Sequence, residues 1–385
     1  MKIHSAYRPL VTPPGPRPTT PPASPDSVQI GGHGPQGPKG PPAWLPLEER
    51  PQFVTGWSSR LLMGLCGPVA VGLSKTGQAL DQLGQKMGWW ESLGTIKKPL
   101  PPSLLKDLPE SKIQRPVVLV PGWQTPEDRF DHLADKLTAD GKNGGRVYYV
   151  RDGEFYADLD CTQRMLAEDT RTDAKVFVAV FPSVNTPPNL SAPELAKDLK
   201  AIAALTGTSK SDVVGYSMGG LATRTYLDQG GDRVGKFMML GTPNRGSALA
   251  RTSLGLLDLQ ARGWDTSWLL SRKPITEQDR DALGWLRPVT GGPTNPQLAD
   301  LNSRWESQKA RTEAVRLVGS HSRPTLGRYF IPVLGDGTVP GNSLQIGDEQ
   351  PHFLKNRNHR NHGLLFSNPQ TYLEMRDFFG WDSQA

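Results

Sequence analysis

Beyond a proline-rich stretch at residues 99–109, short β-branched and aliphatic runs alternate with longer stretches whose apolar residues recur at helical intervals. A strand covered on both faces reads as a continuous apolar run, whereas a helix lying on a sheet reads as one apolar stripe. The alternation therefore predicts a mostly parallel sheet with helices on both faces, an α/β fold. The strand candidates are residues 116–120, 146–151, 175–181, 212–215, 236–240, 314–318 and 329–334. Helix starts are legible between them. Thr125 can cap a helix with Pro126 at its first position, and Ser191 with Glu194 three residues on makes a capping box. Asn368-Pro369 opens a last helix that Gly380 can close.

One interval breaks the rhythm. Between Leu240 and Ala314 about 70 residues carry no strand pattern, yet include Leu254, Leu257, Trp264, Trp268 and Trp285. Such an excursion is either ordinary helices of the domain or a cap over a site. Long excursions in compact domains are more often functional than neutral, which favours a cap or lid at about residues 248–313 of a domain spanning 113–385. Ahead of it, Phe53, Val54, Trp57, Leu61, Leu62, Leu65, Val69, Leu73, Leu80, Leu83 and Trp89 recur at roughly helical spacing. Residues 53–112 are expected to form a helical segment and linker, packed on the domain or serving as an amphipathic contact to a membrane, a lipid interface or a partner.

Composition sharpens both ends of this picture. Residues 1–51 hold 14 of the 36 prolines and hardly any large apolar side chains. They cannot bury enough surface to offset chain entropy, so residues 1–52 are expected to be a disordered tail. The formal charge of +6 is confined to the first third: residues 1–115 carry 13 Lys and Arg against 7 Asp and Glu, the remainder 31 against 31. A neutral domain lacks the basic stripe that releases counterions from phosphates, so no nucleic-acid partner is expected. Two cysteines, Cys66 and Cys161, make neither a disulfide framework nor a four-thiolate zinc site, and no metal or cofactor motif occurs. Met1-Lys2-Ile3-His4 leads into prolines rather than an apolar signal core, and residues 61–73 fall short of a membrane span. The expected location is the cytoplasm, with signal-independent export left open.

The chemistry centres on Gly215-Tyr216-Ser217-Met218-Gly219, directly after a strand candidate and directly before a helical stretch. A strand turning sharply into a helix forces the serine into a strained conformation with its hydroxyl exposed, and the flanking glycines lack the side chains that would collide there. A serine hydroxyl is a weak nucleophile until a base takes its proton and an acid orients the base. Both residue types follow in that order: Asp336 in a turn at the end of a strand candidate, and His362 six residues before the last helix. Asp-Gly is a common turn, and loop histidines are usually unremarkable; the ordered set is what singles these out. His321, His352 and His359 compete for the base. His362 is preferred because Gly363, Leu364 and Leu365 can seat it on the domain edge, whereas His359 lies in a polar run. An oxyanion needs two backbone donors; Met218 follows the serine, and Trp123 lies in the loop after the first strand, behind Pro121-Gly122.

Residues 117–123 and 215–220, the run from Leu240 through Thr242-Pro243-Asn244 to Ser247, Asn302, Gly335-Asp336-Gly337-Thr338-Val339 and His362-Gly363 together resemble the lipases and esterases of the α/β-hydrolase fold. The Gly-Asp-Gly-Thr-Val segment is also similar to that of lecithin:cholesterol acyltransferase and its phospholipase relatives. The resemblance covers about residues 113–381, and the chain departs from it in having Pro121-Gly122 where many members have His-Gly. It implies Ser217, Asp336 and His362 as a triad, Trp123 and Met218 as oxyanion donors, and a lid within residues 248–313. The expected activity is hydrolysis of hydrophobic or lipid-like esters. A phospholipase or acyltransferase using the same residues is the nearest alternative, and an inactive binding module a more distant one.

Overall fold

The computed structural model describes residues 102–125, 127–263, 275–289, 295–326, 332–355 and 361–381. The chain divides into units Met1–Pro51 and Gln52–Ala385. The tail expected over residues 1–52 and the helices expected over 53–95 lie outside the described residues.

An eight-stranded sheet organises the second unit, in the order β10-β7-β6-β5-β1-β4-β2-β3. Its strands are β1 (Val117–Val120), β2 (Val147–Arg151), β3 (Glu154–Tyr156), β4 (Val176–Ala179), β5 (Ser211–Tyr216), β6 (Val234–Leu240), β7 (Ala314–Gly319) and β10 (His352–Phe353). Every pairing is parallel except that of β2 with β3. All four residues of β1 are wholly buried, because β1 is central and both its faces are covered. Side chains alternate across a strand. Val117 and Leu119 thus join Leu133 and Leu137 of α1 (Asp131–Thr138) and Tyr372, Met375 and Phe378 of α8 (Pro369–Phe379) in one core. Val118 and Val120 join Leu195 and Leu199 of α2 (Pro188–Thr206) and Leu227 of α3 (Met218–Asp228) in the other. Burying each such aliphatic side chain stabilises the fold by roughly 1.5–3 kcal/mol.

Three local expectations are corrected. The run expected as a strand over 329–334 appears in part as β9 (Pro332–Gly335), but it pairs antiparallel with β8 (Arg323–Leu326) in a separate ribbon instead of joining the main sheet. Ser191 does not cap α2. The helix begins three residues earlier with Pro188 at its first turn, and the Ser191 hydroxyl donates back to the carbonyls of Thr186 and Pro187. Thr125 caps no helix either, since its hydroxyl is engaged with Gly122. Asn368 does open α8, its Oδ1 accepting from the N–H groups of Gln370 and Thr371, and Gly380 closes it at φ +72°.

Between β6 and β7 the described residues form helices and no strand: α4 (Ala248–Ala261), a 3-10 turn (Glu277–Asp279), α5 (Arg280–Leu286), α6 (Pro296–Ser303) and α7 (Trp305–Lys309). Ala250, Leu257, Ala282, Leu283, Leu286 and Leu298 of this insertion form a third core with Met218 and Leu221 of α3. The insertion thus packs directly on the helix that follows the candidate nucleophile. Arg224 of α3, wholly buried, ties it down further, donating to Gln308, Asn244 and the Leu301 carbonyl beneath the Trp305 ring. Desolvation of the Arg224 guanidinium pushes it down to about 9. Asn302 extends the same network, donating to the Asn244 carbonyl at 2.7 Å.

Asp198 of α2 is also wholly buried. Its Oδ1 accepts from the Gly153 N–H (2.9 Å), in the turn between β2 and β3, and its Oδ2 has no partner among the described residues. Loss of hydration pushes this carboxyl up to about 8. The folded state therefore holds the proton more tightly than the unfolded chain does. The resulting stabilisation is complete below pH 3.8 and is lost as the pH rises towards about 8. Asp198→Asn keeps the acceptor for Gly153. It is expected to flatten this dependence and to melt above wild type at about pH 9 in thermal melts; parallel melting curves across the range would contradict the assignment.

Among the described residues no helix is long and apolar enough to cross a membrane, and no group of His, Cys, Asp and Glu is placed to hold a metal ion.

Candidate active site

Ser217 stands at the end of β5 as the residue before α3, at φ +52° and ψ −124°. For a residue with a Cβ this conformation costs on the order of 1–3 kcal/mol and persists only where its surroundings over-determine it. Here the Ser217 N–H donates to the Leu240 carbonyl of β6 (2.9 Å), and the Ser217 carbonyl accepts from Gly220 N–H (3.1 Å). Two glycines make the close approach possible. A Cβ on Gly219 would lie 2.3 Å from the Val120 carbonyl oxygen, and one on Gly122 would lie 2.6 Å from the Ser217 Cβ. The first strand, the loop after it and the elbow are in backbone contact.

The structure brings Ser217, His362 and Asp336 together in one hydrogen-bonded line. His362 Nε2 is 2.8 Å from Ser217 Oγ, and His362 Nδ1 is 2.7 Å from Asp336 Oδ2. A carboxylate only accepts, so Nδ1 carries the proton and the Nε2 lone pair faces the serine hydroxyl. All three side chains are buried: Asp336 is 1 % exposed, His362 5 % and Ser217 8 %. Asp336 Oδ1 is filled by the N–H groups of Thr338 (3.0 Å) and Val339 (2.7 Å), which fixes the carboxylate plane. The two loops are also joined through the backbone, His362 N–H donating to the Asp336 carbonyl at 2.9 Å.

Two residues that sequence reasoning passed over hold the histidine loop. The Tyr216 ring stacks on His362 with centroids 5.1 Å apart, and its hydroxyl donates to the His362 carbonyl (2.9 Å). Burial pushes the Tyr216 phenol far above its usual range, so it stays a donor. Arg129 donates to the Gly363 carbonyl (2.5 Å). Tyr216 occupies a variable position of the pentapeptide, and Arg129 sits in a mixed-charge run, so neither carried a pattern. Of the competing histidines, the two that are described lie elsewhere. His352 is on the edge strand beside Glu374, His321 packs on Phe353, and His359 lies outside the described residues.

Trp123 lines the cleft over Ser217, and Met218 follows the serine as the first residue of α3. Among the described residues neither backbone N–H is taken by a hydrogen bond. The orientation of the Trp123 N–H is set by Thr125, whose hydroxyl donates to the Gly122 carbonyl (3.0 Å) and accepts from the Gly122 N–H (2.9 Å). Because a peptide is planar and trans, holding the Gly122 carbonyl on one side turns the Trp123 N–H to the other. The cleft over Ser217 is closed by Trp123 and Thr125 from this loop, His362 and Gly363 on the opposite side, and Leu249, Ala250, Leu283 and Leu286 of the insertion. Behind the loop lies a second cavity of about 140 Å³, bordered by Gly122, Leu159, Phe181, Val184 and Met218.

A serine at φ +52° between a buried parallel strand and a helix, with Asp336 and His362 following in chain order on loops beyond later strands, is the arrangement of the α/β-hydrolase fold. No family model matches the chain. Two curated proteins, each named triacylglycerol lipase, from Pseudarthrobacter phenanthrenivorans and Burkholderia plantarii, are 28% identical to it over 131 residues, 31% of this chain. The chain spans about two fifths of the length of these relatives, 41% and 37%. Among solved structures, the mature form of the Bacillus licheniformis lipase BlEst2 superposes over 74% of this chain and 95% of its own, with 15% identity and a TM-score of 0.42. The phospholipase PlaB of Legionella pneumophila covers 62% of this chain and 45% of its own, with 15% identity and a TM-score of 0.37.

Proposed function

We propose that the protein is a serine carboxylic ester hydrolase that works through an acyl-enzyme on Ser217 and acts on hydrophobic, lipid-like esters. The observation that carries this reading is the line from Asp336 through His362 to Ser217, with both contacts at hydrogen-bond length and the serine in the strained elbow. His362 takes the Ser217 proton as Oγ attacks the acyl carbon, and Asp336 holds the ring and stabilises the imidazolium. The carbonyl oxygen becomes an oxyanion received by the N–H groups of Trp123 and Met218, each worth about 3 kcal/mol where such donors have been removed. His362 then gives its proton to the departing alcohol. Water repeats the sequence to release the acid.

The apolar wall contributed by Leu249, Ala250, Leu283 and Leu286 supports an acyl group longer than acetate, as do the curated relatives named triacylglycerol lipase. Rates on p-nitrophenyl esters from acetate to palmitate should rise beyond acetate to an optimum at a longer chain. A maximum at acetate would remove the preference for hydrophobic acyl groups, and no turnover of any member would overturn the hydrolase reading itself.

A further inference from the structure

Asp279, in the insertion, is 1 % exposed and has no cation at ion-pair distance among the described residues, yet all its acceptor capacity is used. Its Oδ2 accepts from the N–H (2.9 Å) and hydroxyl (3.2 Å) of Thr276 in its own turn. Its Oδ1 accepts from Trp123 Nε1 (2.9 Å) and Gln124 Nε2 (2.6 Å), both in the loop after β1 and more than 150 residues away in sequence. A buried carboxylate without a counter-cation is tolerable only while donors fill its lone pairs, so the turn and the loop are obliged to stay together. Gln124 also needs this hold. It is a non-glycine residue at φ +48°, kept there by its side-chain bond to Asp279 and by its N–H donating to the Val184 carbonyl (2.8 Å).

The same part of the insertion is stitched down on its other sides. Ser247 N–H donates to the Leu286 carbonyl (2.7 Å), Val289 N–H to the Arg245 carbonyl (3.1 Å), and Trp285 Nε1 to Asn189 Oδ1 (3.0 Å). Lifting α5 away would break these bonds, expose the core it shares with Met218 and release Trp123 and Gln124 together.

We infer that Asp279 is a positioning residue for the oxyanion loop, and that residues 276–286 are a fixed wall of the active site rather than a lid that must leave before turnover. The inference rests on the proposed roles of Ser217 and the Trp123 N–H. Asp279→Asn is the sharpest probe, because it keeps size and replaces one acceptor oxygen with an NH2 group that faces donors. In the full chain, kcat on a water-soluble p-nitrophenyl butyrate should fall about 10- to 100-fold, the range for a misplaced oxyanion donor. KM should stay within about threefold, and the melting temperature should fall by a few degrees, because the NH2 group leaves buried donors unsatisfied. Affinity for phenylboronic acid, whose tetrahedral serine adduct uses the same donors, should weaken in parallel. If Asp279→Asn unfolds, Gln124→Ala gives the same reading from the other partner, and adding Asp279→Ala to it should cost little more.

Wild-type rate should also rise smoothly as substrate passes its solubility limit. Unchanged kcat per folded molecule in Asp279→Asn would overturn the positioning role, and a sharp rate jump at the solubility limit would overturn the fixed wall. Labelling of Ser217 by a p-nitrophenyl alkylphosphonate separates the two levels. If wild type labels and the variants differ only in rate, the hydrolase reading stands and Asp279 alone is judged; if wild type does not label, both fall.

Discussion

Ser217→Ala is expected to lower kcat on a p-nitrophenyl ester by about 10⁴- to 10⁶-fold, with KM within a few-fold of wild type and the melting temperature unchanged or higher. The magnitude follows from the dependence of the line on each member: without Oγ no acyl-enzyme forms, and the oxyanion donors and binding cleft alone retain about 10³–10⁴-fold over water in comparable sites. His362→Ala should cost a similar factor, because an unactivated serine hydroxyl is a weak nucleophile. The double variant should then be little worse than either single one. Asp336→Asn should leave His362 and Ser217 in place but favour the wrong tautomer, at about 10⁴-fold. Each variant is checked by steady-state kinetics beside a thermal melt. Additive losses in the double variant would show that serine and histidine act separately.

Gly219→Ala is expected to be severely damaging, because the added methyl meets the backbone that carries the loop over the serine. Its Cβ would meet the carbonyl oxygens of Val120 at 2.3 Å and Pro121 at 2.5 Å. Both are backbone, so no side chain can rotate away, and β1 with its loop must move off α3. Overpacking of this kind costs roughly 1–3 kcal/mol or more, outweighing the helix preference for alanine of about 0.5–1 kcal/mol. At about 2–4 °C per kcal/mol for a domain this size, the melting temperature should fall by several degrees. Activity should drop by about 10²-fold or more, since an ångström of displacement separates Trp123 from Met218. The control is Gly255→Ala in α4, where nothing lies within 4 Å of the added carbon. The same chemical change there should raise the melting temperature slightly and leave kcat alone. Equal behaviour of the two variants would show that the contact of β1 with α3 is not tight.

The core strands were legible because a strand buried on both faces writes itself as an unbroken apolar run, as in Val117-Val118-Leu119-Val120. Ser217, Asp336 and His362 were legible for a related reason. Their loops follow such runs or precede a capped helix, and the structure brings the three together. What the sequence left out is mostly about partners. The run ending at Gly335 reads as a strand, but nothing in it says that Arg323–Leu326 will pair with it in place of the main sheet. Ser191 and Glu194 have the spacing of a capping box, and Pro188 overrides it by starting the helix earlier. Asp279 lies in the polar run Thr276-Glu277-Gln278-Asp279, which looks like any helix start. Only the folded chain lays its carboxylate against Trp123 and Gln124.

The most direct test of the central claim is to react the 385-residue chain with a p-nitrophenyl alkylphosphonate and locate the adduct by peptide mass spectrometry. Ser217 Oγ attacks phosphorus, p-nitrophenolate leaves, and the serine proton passes to His362. One adduct per chain is expected, on the peptide containing Ser217, formed in step with loss of ester turnover and absent from Ser217→Ala. An adduct on another residue with Ser217 unmodified, or full turnover retained with Ser217 labelled, would contradict it.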